Sequence, residues 1–176
     1  VKTDSGKYYV FPSVKEIDEG CTCMGPMIRK DLLEELDLEV PETIDEWHDV
    51  LTAFKENGID VPLSWNYSDG TPEGFVVDDG VCVYGPSKAE YKDYLTTMHQ
   101  WYEEGLLDPD MFSGGEDQTN TKLASSKIGA TIAWAGGTLQ TVNTLAKSEN
   151  PDFDLTAAKW PVINKGDTPE YGFRNT

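Results

Sequence analysis

The stretch GPMIRKDLL, residues 25–33, and the stretch PETIDEW, residues 41–47, carry the clearest structural signals in this sequence of 176 residues. In each stretch a short polar side chain, Asp31 or Thr43, is followed three residues later by a glutamate. This spacing is typical of a capping box, in which the first side chain accepts from a first-turn amide and the acid reaches back to the cap. Both stretches therefore predict helix starts, and the proline that opens the second keeps the two helices apart.

The helix predicted after Thr43 carries apolar residues at i, i+3 and i+7 spacing and ends at Gly58. Two further helices are predicted later in the chain. Ser87, followed three residues later by glutamate, predicts a third capped helix that ends at Gly105. The fourth is predicted over residues 139–147, with Thr138 as its cap.

Strand candidates alternate with these helices. They are short apolar runs bounded by polar or glycine-rich residues, and a hairpin-type turn sequence, Asp78-Asp79-Gly80, separates two of them. The candidates are Tyr8–Phe11, Val61–Trp65, Phe75–Val77, Val81–Tyr84, Ile128–Trp134 and Phe153–Ala158. Strands that alternate with amphipathic helices predict one domain with a layered α/β or α+β architecture.

The charge of the chain excludes several classes of partner. Its 32 acidic and 14 basic residues give a formal net charge of −18, with 38% hydrophobic and 26% charged residues. This composition is typical of a globular protein. Nucleic acid and anionic lipid repel such a chain, because binding to phosphates depends on lysine and arginine. No apolar run approaches the ~20 residues of a membrane span, and we expect a monomer that binds no nucleic acid.

The sequence offers little support for an enzyme or a metal site. It contains neither a GxxxxGK[ST] phosphate loop nor a GxGxxG motif, and His48 and His99 lie in predicted helices without a nucleophile motif. A glycosidase carboxylate pair cannot be singled out among 32 acids. A calcium loop counted from Asp108 puts Ser113 where glycine is required and Thr119 where a bidentate glutamate is required. We therefore expect no catalytic residue, no metal and no cofactor.

The cysteines do not form a known framework. Cys21, Cys23 and Cys82 are odd in number, so they cannot all pair within one chain. Cys21 and Cys23 have a single residue between them, and no second cysteine or histidine pair completes a zinc site. We interpret the three as free thiols.

The aromatic residues are the strongest functional signal. The chain has five tryptophans, eight tyrosines and six phenylalanines. Trp47 and Trp101 fall on the inward faces of predicted helices, which indicates core packing. Trp65 and Trp134 instead end predicted strands, just before polar or glycine-rich loop residues. Such mixtures suit sugars, whose C–H faces stack on aromatic rings while their hydroxyls need polar partners.

The position of these two tryptophans also favours a binding site. In open α/β sheets, ligands bind beyond the carboxyl ends of the strands, and the glycines that follow Trp134 allow close approach of a ligand. The alternative, that Trp65 and Trp134 only fill the core, stays open. The predicted ligand-binding residues are Trp65, Asn66, Asp69, Trp134 and Gly136.

Several stretches, in the right order over nearly the whole chain, resemble family 1 extracellular solute-binding proteins. Residues 25–33 and 41–47 resemble the segment that enters the second lobe of these proteins, with its K-D-L-L helix and P-x-T-x-(D/E)-E helix start. WYEEGLLDPD, residues 101–110, is similar to the exit of the family's long helix. LASSKIGATIAW, residues 123–134, is similar to a helix-to-strand segment that ends in a ligand-stacking aromatic, although a serine replaces the usual glycine before the lysine. The resemblance assigns that stacking role to Trp134.

The resemblance implies a fold and a domain organisation. Family members have two α/β lobes of the periplasmic-binding-protein-like type II class, with helices packed on a mixed sheet, and the lobes close around the ligand. It implies a crossing segment from the first lobe over residues 1–24, the second lobe over 25–158 and a return crossing segment over 159–176. We expect the chain to be a fragment that lacks the N-terminal lobe, since it begins without methionine and ends without a cap or tail.

The resemblance also implies a function. It indicates the extracytoplasmic substrate-binding component of a bacterial ABC importer, which captures a sugar or oligosaccharide and delivers it to ABC permease subunits. Such proteins are periplasmic, or extracellular and tethered as lipoproteins to the outer face of the cytoplasmic membrane. Two other classes stay open. One is a carbohydrate-active enzyme or its accessory carbohydrate-binding module, and the other is an adhesion domain without saturable binding of a small ligand.

Overall fold

The computed structural model describes residues 5–7, 24–66, 74–78, 80–113 and 116–169. The predicted strand Tyr8–Phe11 lies outside these residues, as do Cys21, Cys23 and the predicted site residue Asp69. Within the described part of the chain, every helix is too short or too polar to cross a lipid bilayer.

Strands and helices alternate, as the sequence predicts. The described strands are β1 (Met24–Arg29), β2 (Val61–Leu63), β3 (Phe75–Asp78), β4 (Val81–Tyr84), β5 (Ile128–Trp134) and β6 (Leu155–Ala157). The α-helices are α1 (Lys30–Glu35), α2 (Ile44–Glu56), α3 (Ala89–Glu103), α4 (Glu116–Ala124) and α5 (Gln140–Ala146). A 3-10 turn (Gly85–Ser87) precedes α3, and a π-helical turn (Ala135–Leu139) connects β5 to α5.

Four strands form one mixed sheet in the order β2-β5-β1-β6. β5 runs parallel to β2 and antiparallel to β1, and β6 is antiparallel to β1. The register places Leu63 beside Ala130 and Pro26 beside Ile132. β3 and β4 form a separate antiparallel hairpin, as predicted. The expected α/β class, with helices packed on a mixed sheet, is confirmed.

α2 packs on this sheet with the face that its periodicity predicts. Trp47, Val50, Leu51 and Phe54 are at most 5% exposed. Gly129 of β5 makes the close packing possible, because a Cβ atom there would lie 2.4 Å from a ring carbon of Phe54. Any side chain at this position would push α2 away from the sheet.

Two of the predicted capping boxes can be judged by their hydrogen bonds. Thr43 is the N-cap of α2, and both reciprocal bonds with Glu46 are present, which confirms this prediction. Asp31 lies inside α1, whose N-cap is Arg29, and its carboxylate accepts from the Arg29 guanidinium instead. The prediction for Asp31 is wrong because an arginine that is only 2% exposed needs the carboxylate as its partner.

The two later caps are also wrong, although their helices exist. Ser87 belongs to the 3-10 turn and donates to the carbonyl of Tyr84, while α3 begins at Ala89. Thr138 is buried in the π-helical turn before α5. In both places the cap candidate lies within a turn that precedes the helix. α4 was not predicted, because its apolar residues, Leu123 and Ala124, are confined to its end.

Residues 159–169 pack against the beginning of α2. The amide of Ile44 donates to the carbonyl of Val162 at 3.0 Å, and the ammonium of Lys165 lies 2.9 Å from Oε1 of Glu46. The hydrogen bond from Lys165 and two from backbone amides at the helix start lower the pKa of Glu46 to about 2. One carboxylate thus caps α2 and anchors the segment that follows β6.

Candidate functional site

The carboxyl ends of the parallel strands β2 and β5 lie at the same edge of the sheet. Trp65 follows β2 by two residues, and Trp134 is the last residue of β5. The amide of Ser64 donates to the carbonyl of Ala130 at 3.1 Å, so the chain that leads into Trp65 still runs along β5. Both strands therefore deliver an aromatic side chain to this edge.

A cavity of about 160 Å³ lies at this edge, and we call it the aromatic cavity. Its wall contains four tryptophans and a tyrosine from widely separated parts of the chain. They are Trp47 of α2, Trp65, Tyr94 and Trp101 of α3, and Trp160 after β6. Aromatic rings are the side chains on which the C–H faces of a sugar ring stack.

Three buried polar atoms in the wall have no hydrogen-bond partner among the described residues. They are Nε1 of Trp47, Nε1 of Trp65 and Oγ1 of Thr131. The three residues are 4%, 5% and 1% exposed. A buried donor without a partner costs ~1–3 kcal/mol, and each of these three atoms is itself closed to solvent.

A second cavity of about 360 Å³, here called the outer groove, adjoins the first. Trp65, Tyr94 and Met98 line both, so the two cavities are neighbours that share part of their wall, and together they are called the aromatic track. The outer groove also contains Tyr102 and Phe112, which are 47% and 68% exposed. The aromatic surface therefore extends well beyond the space of the aromatic cavity.

A buried ion pair fixes the chain immediately before Trp65. Ser64 is fully buried and donates to Oδ2 of Asp108 at 2.7 Å, and the Lys122 ammonium lies 2.9 Å from the same oxygen. Burial raises the pKa of Asp108, but hydrogen bonds from Lys122 and Ser64 outweigh it, and the net pKa lies below its usual value. The carboxylate is therefore ionised at neutral pH and links the end of β2 to α4.

The same lysine bears on the calcium hypothesis. Lys122 lies 2.9 Å from Asp108 and 3.3 Å from Asp110, so its ammonium stands between the acids that a calcium loop would use. Among the described residues, no cluster of three or more histidine, cysteine or acidic side chains has the geometry of a metal site.

The two histidines have different surroundings. His48 contacts the carboxylate of Glu104, and its ring centroid lies 6.3 Å from that of Trp101. Hydrogen bonds from Gln100 and His48 lower the pKa of Glu104. This contact ties α2 to the end of α3. His99 lines the outer groove.

The structure places the two predicted tryptophans differently. Trp65 is 5% exposed and lines both cavities, so it is at once a core residue and part of the wall. Trp134 is 37% exposed. Because alternate residues of a strand share a face, Trp134 lies on the same side of β5 as Ile132, which lines the aromatic cavity. Trp134 therefore lies on the cavity side of β5, two residues beyond Ile132, but it is not one of the residues that line the cavity.

The remaining predicted residues are less closely associated with the cavity. Asn66 follows Trp65 and is partly buried. Gly136 lies in the exposed π-helical turn, where an added Cβ would meet nothing within 4 Å, so the packing around it does not require glycine. Cys82, in β4, is an exposed free thiol.

Sequence reasoning missed four of the five aromatic residues of the wall, Trp47, Tyr94, Trp101 and Trp160. Trp47 and Trp101 were expected to pack only in the core; they are buried, but they also face the aromatic cavity. Trp160 was not considered as a site residue. Helical periodicity identifies an inward face, but it does not show where that face borders a cavity. For Trp160, the signal was a large aromatic residue next to a proline, followed by the apolar pair Val162 and Ile163.

The chain belongs to the bacterial extracellular solute-binding protein family, whose model matches residues 21–173. It is 24% identical over 173 residues to lipoprotein LipO of Bacillus subtilis (strain 168), covering 86% of this chain and 34% of that protein. It is 27% identical over 158 residues to the fructooligosaccharide ABC transporter substrate-binding protein FusA of Streptococcus pneumoniae serotype 4, covering 73% and 29%. The chain thus spans about a third of the length of these relatives.

Solved structures show the same fold. The alginate-binding protein AlgQ2, in its crystal structure without calcium ion, has a TM-score of 0.78 and 29% identity, covering 94% of this chain and 37% of that one. FusA of S. pneumoniae in complex with kestose has a TM-score of 0.74 and 22% identity, covering 99% and 39%. The predicted family and fold class are confirmed.

Proposed function

We propose that this chain is one lobe of the substrate-binding component of a bacterial ABC importer, and that it captures a carbohydrate against the aromatic cavity. The observation that carries the proposal is the wall of four tryptophans and a tyrosine at the carboxyl edge of the sheet. Family membership supports it, as does the description of the relative FusA as a fructooligosaccharide-binding protein of an ABC transporter.

The ligand that fits best is an oligosaccharide. The outer groove continues the aromatic cavity through Trp65, Tyr94 and Met98. Successive sugar rings need successive stacking surfaces, and this track supplies them on one side. In this proposal Trp65 stacks on the inner ring and Trp134, with the neighbouring Asn66 and Gly136, contacts the ligand at the sheet edge.

The second lobe belongs to the proposal because the aromatic track forms only one side of a cleft. Residues 1–24 and 159–176 serve as the crossing segments, and 25–158 form the lobe itself. Residues 159–169 lie against α2, with Trp160 in the cavity wall, so in this proposal the return crossing begins along the surface of the lobe. The full-length protein is a monomer outside the cytoplasmic membrane, tethered as a lipoprotein, as the name of the relative LipO suggests, and it docks on ABC permease subunits.

The proposed role is capture without conversion. Neither the aromatic cavity nor the outer groove has an aspartate or glutamate among its described lining residues, whereas glycoside hydrolysis requires a pair of carboxylates across the sugar. Incubation with oligosaccharides, followed by chromatography, should therefore return each sugar unchanged. Release of shorter products would establish the enzyme alternative instead.

The direct test is calorimetric titration of the full-length protein with neutral oligosaccharides. Trp134→Ala should weaken binding by ~1–3 kcal/mol, the free energy of covering a large apolar side chain, while the melting temperature changes little. Leu145→Ala is the matched control, since Leu145 is 58% exposed and lines neither cavity. If Trp134→Ala lowers the melting temperature but leaves the affinity unchanged, Trp134 is not a ligand-binding residue.

The isolated chain supplies a second test. With one side of the cleft present, it should bind the same sugars far more weakly than the full-length protein. Sub-micromolar affinity of the isolated chain would show that a second lobe is not needed.

A further inference from the structure

We infer that the cavity and groove select uncharged saccharides and reject those that carry carboxylate, sulfate or phosphate groups. The inference rests on the proposed function and specifies its substrate class. The described lining residues of the two cavities include no lysine and no arginine, and His99, in the outer groove, is their only basic side chain. A bound anion would thus find no permanent positive charge in this wall.

Several cations on the neighbouring elements already have partners. Lys122 pairs with Asp108 and Asp110, and Lys165 pairs with Glu46. The lysines nearest in sequence to lining residues are Lys92, beside Tyr91 of the outer groove, and Lys159, beside Trp160; both are exposed and line neither cavity.

An anionic sugar meets two unfavourable contributions to binding at this wall. Moving a carboxylate from water into an aromatic cavity without a cationic partner costs desolvation free energy that nothing in the wall returns. The net charge of −18 adds a long-range repulsion. The repulsion weakens with added salt, but the desolvation cost does not.

A neutral sugar meets the opposite situation. It carries no ionised group, so its entry into the wall requires no desolvation of a charge. The aromatic faces bind the C–H surface. The inference therefore separates this chain from AlgQ2, whose ligand alginate is a polymer of uronic acids.

The test is an NMR titration of the full-length protein, followed through the indole N–H signals of Trp47 and Trp65. One set of ligands is neutral: kestose, stachyose and the methyl ester of trigalacturonate. The other is anionic: trigalacturonate and trimannuronate. At least one neutral sugar should shift the signals of Trp47 and Trp65. Every uronate should bind at least about tenfold more weakly than that sugar, a difference of about 1.4 kcal/mol.

The other outcomes are distinguishable. A uronate that binds as tightly as the best neutral sugar would overturn the inference and leave the proposed function intact. If no sugar of either set shifts any indole signal, the proposed function fails and the inference fails with it.

A pair of variants tests whether the lack of a cation in the wall causes the preference for neutral sugars. Met98 lines both cavities and is partly buried. Met98→Lys places a cation in the wall and should improve uronate binding relative to neutral sugar by at least about tenfold. Met98→Gln, of similar length but neutral, should leave that ratio unchanged. An equal ratio in both variants would show that charge does not set the preference.

Discussion

The Ser64–Asp108–Lys122 contact allows a prediction about stability that the structure makes quantitative. Asp108→Asn keeps the shape of the side chain and an oxygen that accepts from Ser64, but it removes the negative charge. The Asp108 side chain is 4% exposed and that of Lys122 is 21% exposed, so the ammonium loses its closest anion in a largely buried position. Breaking a buried ion pair on one side costs ~3–5 kcal/mol. Because Lys122 retains some contact with water, we expect the lower end of this range.

The assay is thermal unfolding followed by circular dichroism. For a chain of this length, each kcal/mol lowers the melting temperature by ~2–4 °C, so Asp108→Asn should lower it by about 6–12 °C. Asp110→Asn is the matched control, since Asp110 contacts the same ammonium at 3.3 Å with a side chain that is 60% exposed. Exposed ion pairs contribute ~0–1 kcal/mol, so the control should change little.

A comparison of single and double variants tests whether the broken charge pair causes the loss of stability. Asp108→Asn combined with Lys122→Met removes both charges, and the double variant should be more stable than the sum of the two single losses predicts. Equal melting temperatures for Asp108→Asn and Asp110→Asn, or strict additivity in the double variant, would refute the claim that a buried charge pair holds the end of β2 in place.

The remaining predictions concern a cap, a pH dependence and two tryptophans. Thr43→Ala should cost ~1 kcal/mol in urea unfolding, whereas Ser87→Ala, which removes no cap, should cost less than half of that; equal losses would contradict the cap assignment. The stabilisation by Glu46, whose folded pKa of about 2 lies below its ordinary 4.5, should be present above pH 4.5 and disappear as the pH falls toward 2. The difference in stability between the unmodified chain and Glu46→Gln should therefore shrink over that interval; a constant difference would exclude the pairing. Trp101→Ala should cost ~3–5 kcal/mol of stability and also weaken ligand binding, since Trp101 is 6% exposed and lines the aromatic cavity. Trp134→Ala should affect binding alone.

The elements that the sequence predicted well are those in which local interactions decide the structure. In α2, the Thr43 capping box and an apolar face at helical spacing agree, and each is visible within a few residues. β5 is a run of small apolar residues whose ends coincide with the prediction. α4 lacks such periodicity and is anchored through Lys122, whose partner Asp108 is 14 residues away in sequence. A helix held by such a contact has no local signature.

The candidate site was predicted only in part for the same reason. Trp65 was found because it follows a strand, which is a local feature. Trp47, Trp101 and Trp160 reach the aromatic cavity from two helices and a terminal segment, more than 50 residues apart in sequence. The predicted cap at Asp31 failed for a related reason. The local pattern matches a capping box, but the Asp31 carboxylate pairs with the buried Arg29 instead. Tertiary contacts decided each of these positions.

The separation of charge from the cavity has a consequence for a receptor that closes around its ligand. Closure removes water from the wall, and a charged wall would then pay a desolvation cost of several kcal/mol per ion. Here the charges of Asp108 and Lys122 are paired behind Trp65, and that of Glu46 is paired with Lys165 at the cap of α2. The wall itself consists mainly of aromatic and other apolar side chains, which lose no charge hydration when water leaves. In the proposed receptor, closure over an uncharged ligand would therefore be favoured by contact area, and opening would require only that this contact be exchanged for water. A uronate would reverse this balance, because its carboxylate would be desolvated at the same step without a cation to receive it.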